Sequence, residues 1–387
     1  MRTSATSPTA HEPRASARLA SLDAFRGLTV AAMLLVNDPG SWSAIYPPLR
    51  HSAWHGWTAT DLIFPFFLFI VGITTHLSLS ARRARGDAER ALVRQVVRRG
   101  TIIIVLGLLL SAFPFFPAER LVHLRIPGVL QRIGVVYLCT GLLVLKSSPR
   151  TQAVIAALLL VGYWLLLTLV PVPGVGPATL APPAATLPAW VDRLLLDGHL
   201  WAETKTWDPE GPLSTLPAIG TGLLGVVAGR WLTRQGPLAE RLNQLFAGGA
   251  LATAAGLMWN WVFPINKNLW TSSYVLFTAG MAAVALATCM WLIEVRKVIG
   301  WSRPFVVFGV NPIVAFVGSE MMARLIYSVI EVPYQGDTVS LQSAIYRSAF
   351  ASWLPPQPAS LAFALVFVLF WYLVLAALAR RNIVIKI

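Results

Sequence analysis

Residues 37–72 of the 387-residue chain read NDPGSWSAIYPPLRHSAWHGWTATDLIFPFFLFIVG. From Leu62 to Gly72 no residue carries a polar side chain. The apolar segment over about 60–80 is long enough to cross a bilayer, which takes roughly 17–25 mainly apolar residues. Just before it stand His51, Trp54, His55, Trp57 and Asp61, in a loop broken by Pro47, Pro48 and Gly56. Histidine titrates near neutral pH, so a loop with two histidines at the mouth of an apolar span is the candidate chemical centre. The same stretch therefore points to both the fold class and the site.

Composition agrees with the apolar run. The chain is 56% hydrophobic and 12% charged, with mean hydropathy +0.64. A soluble domain carries about twice that charged fraction, so the chain is read as an integral membrane protein. The net charge of +14 does not imply nucleic acid. Lys and Arg collect on the cytoplasmic loops of membrane proteins, and no polar stretch is long enough for a duplex-binding domain. Cys139 and Cys289 fall inside apolar segments, which argues against a disulfide framework. The polar N-terminal stretch has no apolar run leading to a cleavage site. It is expected to be a disordered cytoplasmic tail over 1–18, followed by one transmembrane domain over 19–387.

Ten segments are expected to span, at about 20–38, 60–80, 100–118, 127–146, 151–171, 212–232, 245–263, 271–293, 304–330 and 358–380. This makes an all-α, polytopic membrane protein. The ninth is the least regular, because Pro312 follows Asn311 and should break the helix locally. Most of the 31 basic residues fall on alternate loops, above all in RRARGDAERALVRQVVRR (82–99). The positive-inside rule then puts both termini in the cytoplasm and the His51 loop on the other side. Segments 115–128, 204–215 and 263–270 share that outer face.

Three constellations are candidates for chemistry. Asp23 and Arg26 stand at i,i+3 and can pair on a helix; they either anchor the span or leave Arg26 facing a phosphate. Asn37 lies about 16 Å further up the same helix at 1.5 Å per residue, where it either caps the helix or orients a reacting group. His51 and His55 have H-x3-H spacing, which on a helix would suit zinc, but the glutamate of H-E-x-x-H is missing. His51 as general base or nucleophile fits better, beside the bland reading of a surface histidine. Asp61, Arg125, Arg132, Asp208, Glu210, Lys267, Glu320 and Arg324 form the third set. Ionisable groups at or near membrane depth face a cavity or each other. On residues alone, an enzyme and a sugar transporter both remain open. Transporters often show a repeat relating two halves, and none is visible.

SLDAFRG (21–27), Val36-Asn37, HSAWHGWTATDLIFPFFLFIVG (51–72), RIPGVLQRIGVVY (125–137), WDPEGPLSTLPAI (207–219), PINKNLWTSSYVL (264–276) and GVNPIVAFVGSEM (309–321) together resemble the heparan-α-glucosaminide N-acetyltransferase family. The motifs occur in order over almost all of the membrane part. The resemblance implies a transmembrane acyltransferase that moves acetyl from cytosolic acetyl-CoA to an amino sugar across the membrane. It implies His51, ahead of Ser52-Ala53-Trp54, as the catalytic histidine and Asn37 as its partner near the end of the first span. The chain is expected to be a bacterial-type member, in the inner membrane, without the extracytoplasmic N-terminal domain of the animal enzymes. A homodimer is implied by the resemblance alone. With a CoA thioester as donor, Arg26, Arg98 and Arg99 are candidates to meet its phosphates, with Arg132 and Asn311 as further contacts. Trp54, His55, Asp61, Asp208, Glu210, Asn266 and Lys267 are candidates to hold the acceptor, and no metal is expected. The position of His55 is commonly Asn in the family, which bears on the donors around the acceptor. An O-acyltransferase of a cell-envelope glycan is the alternative within the same chemistry.

Overall fold

The computed structural model describes residues 19–385, so the expected tail over 1–18 lies outside the described residues. The apolar run after Asp61 forms a helix, α2 (Ala59–Ala84). Its start is fixed by the Asp61 carboxylate, which accepts a hydrogen bond from Thr58 N at 3.0 Å, the reach-back half of a capping box. Pro65 lies in the second turn and has no N–H to give the Asp61 carbonyl. The Tyr274 hydroxyl donates to that carbonyl instead, so the proline ties α2 to a neighbouring helix.

In chain order the helices are α1 (Ala20–Asn37), α2, α3 (Glu89–Ala112), the single turn α4 (Glu119–Val122), α5 (Val129–Lys146) and α6 (Pro149–Leu169). Then come α7 (Leu187–Leu196), α8 (Pro212–Thr233), α9 (Leu238–Trp259), α10 (Ser272–Met290), α11 (Arg303–Val310) and α12 (Pro312–Arg324). A hairpin, β1 (Glu331–Tyr334) with β2 (Asp337–Ser340), precedes α13 (Leu341–Ala349) and α14 (Pro356–Arg380). The hairpin turns at Gln335 and Gly336, both at positive φ, the geometry a two-residue turn needs.

Among the described residues, nine helices are long and apolar enough to cross a membrane. The tenth expected span is α9. It forms a full 22-residue helix, but Asn243, Gln244 and paired glycines make it less apolar than the others. It packs antiparallel on α10, with Gly256 against the Phe277 backbone and Gly249 against Gly280. Two other expectations change. The third span starts at Glu89 and not near residue 100, because Arg90, Arg94, Arg98 and Arg99 continue the helix beyond its apolar part. The ninth is two helices, α11 and α12, meeting at Asn311.

α5, α8 and α10 are the most enclosed spans, whereas α3, α6, α12 and α14 leave most of their surface outside the bundle. Leu158 and Leu169 on α6 and Leu369 and Leu373 on α14 are exposed apolar side chains. A bilayer covers such faces at low free energy, and the chain is an all-α, polytopic membrane protein. Two crossings need glycine. A Cβ on Gly72 of α2 would stand 2.0 Å from the Gly222 carbonyl oxygen of α8, and one on Gly27 of α1 1.6 Å from the Phe305 oxygen of α11. These contacts bring α2 and α1 to the middle of the molecule, where the cavity lies. Both described chain ends sit at the arginine-rich end of the bundle, opposite the His51 loop.

Candidate active site

A cavity of about 260 Å³ opens between α1, α2, α3, α5 and α12 at the His51 end. Its deep part is apolar, with Val30, Phe67, Ile133, Ile313 and Phe316. Its mouth is polar, with Asn37, His51, Ser111, Arg125, Gln131, Glu210, Lys267, Glu320 and Arg324. An apolar slot with convergent polar groups at one end is the usual form of a small-molecule site.

The candidate chemical centre is a histidine–aspartate pair. His51 Nδ1 donates to Asp61 Oδ1 at 2.6 Å; the aspartate side chain is 1% exposed and that of His51 49%. Asp61 Oδ2 accepts from Ser52 N and Thr58 N, each at 3.0 Å. The residue that starts α2 thus also holds the catalytic candidate. A carboxylate at Nδ1 keeps the proton on that nitrogen and leaves the Nε2 lone pair for a substrate. Sequence reading grouped Asp61 with the acceptor contacts. The structure gives it a different place, buried beneath the imidazole and turned away from the cavity.

His55 does not pair with His51. Residues 50–58 are not helical, so the H-x3-H spacing does not bring the rings onto one face. His55 instead accepts from Asn266 Nδ2 at 3.3 Å. Asn266 is fully buried, and its Oδ1 accepts from Leu269 N at 2.8 Å. It fixes the 263–270 turn and does not line the cavity. Lys267, next in that turn, does line it, with Nζ 3.1 Å from Nδ1 and 3.2 Å from Nε2 of His51. Burial lowers Lys267 from its ordinary range, against the opposing pull of Glu210 and Asp61. Trp54 gives its indole N–H to Leu180 O at 2.8 Å and meets Trp207 edge-on, bracing the His51 loop outside the cavity.

The second cluster is a clamp. Arg125 Nε and Nη2 donate to the two oxygens of Asp208 at 2.8 and 2.7 Å, and Nη2 also reaches Glu210 Oε2 at 2.6 Å. Burial works against the Arg125 charge, but the two carboxylates raise its pKa above the ordinary value. Asp208 is 2% exposed and also accepts from Trp201 N at 3.0 Å. Of the two acidic residues, Glu210 alone reaches the cavity.

Asn37 reaches the cavity and makes a side-chain hydrogen bond to Glu320 of α12. Sequence reading noticed Glu320 and Arg324 as charges at membrane depth but gave them no role. It missed Asp38, whose only signal was its place beside Asn37. Asp38 is 5% exposed, and burial, with the nearby Glu320 charge, pushes its carboxyl up to about 8.

The candidate donor contacts are dispersed. Arg26 gives Nη1 to the Gly309 carbonyl at 3.1 Å and pairs with Asp23 at 3.4 Å. That carbonyl is among those the break at Asn311 leaves without an intrahelical donor. Arg98 is exposed and Arg99 half-buried over the Tyr137 ring, on the arginine-rich part of α3. Arg132 is 2% exposed, bonded to Gly211 O and Ser214 Oγ and stacked on Trp270. The structure therefore places Arg132 in the protein interior near the clamp, away from Arg26, Arg98 and Arg99. Asn311 is buried, and its side-chain amide bonds the backbone of Ile383 and Ile385, each at 2.9 Å.

Fold and site define a polytopic membrane protein with a carboxylate-held imidazole at the mouth of an intramembrane cavity. The family profile described as "Heparan-alpha-glucosaminide N-acetyltransferase, catalytic" matches residues 18–257. Two curated proteins of that name are similar to the chain. The mouse protein is 32% identical over 359 aligned residues, covering 79% of this chain and 54% of its own length. The human protein is 32% identical over 356, covering 79% and 53%. The chain belongs to the heparan-α-glucosaminide N-acetyltransferase family, and it spans about half the length of the curated relatives it matches.

Proposed function

We propose that the protein is a transmembrane N-acetyltransferase that moves acetyl from cytosolic acetyl-CoA to a glucosamine-type amine on the extracytoplasmic side. The observation that carries this reading is the His51–Asp61 pair at 2.6 Å, with Nε2 left available at the polar mouth of the cavity. His51 acts on the thioester either as general base for the acceptor amine or as carrier of the acetyl group. Asn37 is the donor for the developing oxyanion. Glu210 and Lys267 at the mouth hold the hydroxyl-rich acceptor, while the half-buried Trp54, the exposed His55 and the buried Asp208 and Asn266 support the surrounding loops.

The cavity's deep part suits a thin acyl–pantetheine arm, since its walls are apolar and it runs from the mouth toward the centre of the bundle. The nucleotide would then lie at the arginine-rich end, within reach of Arg26, Arg98 and Arg99. The excess of basic residues there supports placing that end in the cytoplasm and the His51 loop outside. A bacterial inner membrane and a homodimer are further parts of the proposal that rest on family likeness alone.

The test uses purified protein in liposomes with acetyl-CoA and glucosamine, following thiol release and N-acetylglucosamine. Thiol release that depends on the acceptor supports the reading. A folded protein that releases no thiol with glucosamine or other amino sugars would refute it and leave a sugar transporter as the better account. Thiol release with hydroxyl acceptors alone would favour O-acylation.

A further inference from the structure

Lys267 Nζ is 3.1 Å from one ring nitrogen of His51 and 3.2 Å from the other. An atom so close to both cannot lie in the ring plane without colliding with the carbon between them. The lysine nitrogen therefore stands over the face of the imidazole. It is half-buried, lines the cavity, and forms no ion pair with a carboxylate among the described residues. A base that takes a proton at Nε2 must be approached in the ring plane, along the lone pair. A nitrogen above the face is badly placed for proton exchange and well placed for something else.

We propose that Lys267 is an internal acetyl acceptor, modified by an acetyl group carried on His51 Nε2 when no sugar amine is present. An acetyl group on Nε2 conjugates with the ring and lies in its plane, so its carbonyl carbon is open to attack from above or below. Lys267 stands on that side, on a flexible stem, with Nζ 3.2 Å from the Nε2 that would carry the acetyl group, and a short swing of the stem brings it to the roughly 3–3.5 Å of a near-attack arrangement with the carbonyl carbon. In the first step the Nε2–C bond forms, the C–S bond breaks and CoA leaves as thiolate. In the second, the neutral amine attacks, the Nζ–C bond forms, the Nε2–C bond breaks and His51 regains its lone pair. One amine proton neutralises the thiolate, and the proton lost when the lysine ammonium deprotonates is released to solvent. The product is acetyl-lysine and free CoA. Burial of the amine favours the unprotonated, nucleophilic form. The same geometry marks where an incoming sugar amine would attack, with Lys267 as its stand-in.

This inference rests on the proposed acetyl transfer, and specifically on its acyl-histidine route. The experiment incubates the full-length protein in liposomes with acetyl-CoA, with and without glucosamine, and maps acetylated lysines by mass spectrometry. Sugar turnover is measured on the same preparation. The exposed Lys205 and Lys297 report direct chemical acetylation, and His51→Ala reports dependence on the histidine. Expected are acetyl-Lys267 well above both exposed lysines, suppression by glucosamine, and its absence in H51A. A progressive loss of turnover on preincubation with acetyl-CoA alone should accompany it, in proportion to the fraction of Lys267 acetylated. Turnover with Lys267 unmodified overturns the inference and leaves the transferase intact. Modification no greater than at Lys205 and Lys297, or equal in H51A, overturns it as well. Absence of any turnover removes the transferase reading, and the inference with it.

Discussion

Two charged clusters share the cavity wall and are finished differently. In the clamp, Arg125 spends its donors on Asp208 and Glu210, and Asp208 is further tied to the backbone of Trp201 and Glu210. In the dyad, Asp61 is equally saturated, but it holds a histidine whose second nitrogen has only a lysine over the ring face. Saturation makes a strut, whereas on the proposed function the nitrogen lone pair left at the cavity mouth is the reactive group. The contrast separates two similarly buried carboxylates in the same membrane protein by what their partners have left to offer.

The largest effect should come from the open valence itself. His51→Ala is expected to lower acetyl transfer by about 10³–10⁴-fold, the upper part of what a positioned base contributes, with an unchanged melting temperature in detergent. Asp61→Asn keeps the shape but can no longer fix the Nδ1 proton. A loss of about 10²–10³ in kcat with little change in KM is expected; a near-normal rate would show that the dyad is only a strut.

The clamp should respond in stability instead. Asp208→Ala leaves a half-buried guanidinium short of its partner, and, since breaking a fully buried pair destabilises by about 3–5 kcal/mol, a loss of about 2–3 kcal/mol is expected here. A melting temperature unchanged by this substitution would erase the distinction between the clusters. Asp38 tests a third, quieter environment. Its folded value of about 8, against 3.8 ordinarily, means the folded protein keeps a proton that the unfolded chain releases. Stability from this group is complete below the ordinary value and falls as pH rises toward 8. Asp38→Asn should therefore melt above the wild type at pH 8 and match it near pH 4. The smallest effect is expected for Arg98→Ala, where an exposed arginine meeting a phosphate contributes a salt-sensitive, few-fold change in the KM for acetyl-CoA.

The fold was largely legible, because uninterrupted apolar runs such as 62–72 have few other uses and because arginines collect on alternate loops. Helix ends were less so. Arg90 to Arg99 read as a loop by polarity, yet arginine is a good helix former and the helix simply continues outside the apolar part. α9 was visible as a segment, but its glycines serve contact with α10 more than hydropathy. Within the site, His51 and Asn37 stood out as polar groups at span ends. The Asp61 role did not, because pairing across a bent ten-residue loop depends on backbone turns that spacing does not encode. For the same reason Arg125, Asp208 and Glu210 read as separate charges, and the burial of Arg132 and Asn266 was hidden by their place in motif-rich segments.

The Asn311 amide gives its N–H₂ to the Ile383 carbonyl of the C-terminal segment and takes an N–H from Ile385, two positions on. It behaves there as a piece of borrowed backbone, splinting the gap between α11 and α12 with residues 72 and 74 positions away in the chain. The C-terminal segment is in this sense a prosthesis for a broken helix whose second half carries the cavity's Glu320 and Arg324. A truncation at Arg381, or a purification tag that displaces 383–385, would act on the cavity from the opposite end of the bundle. A linker that leaves 383–385 free to dock would spare it.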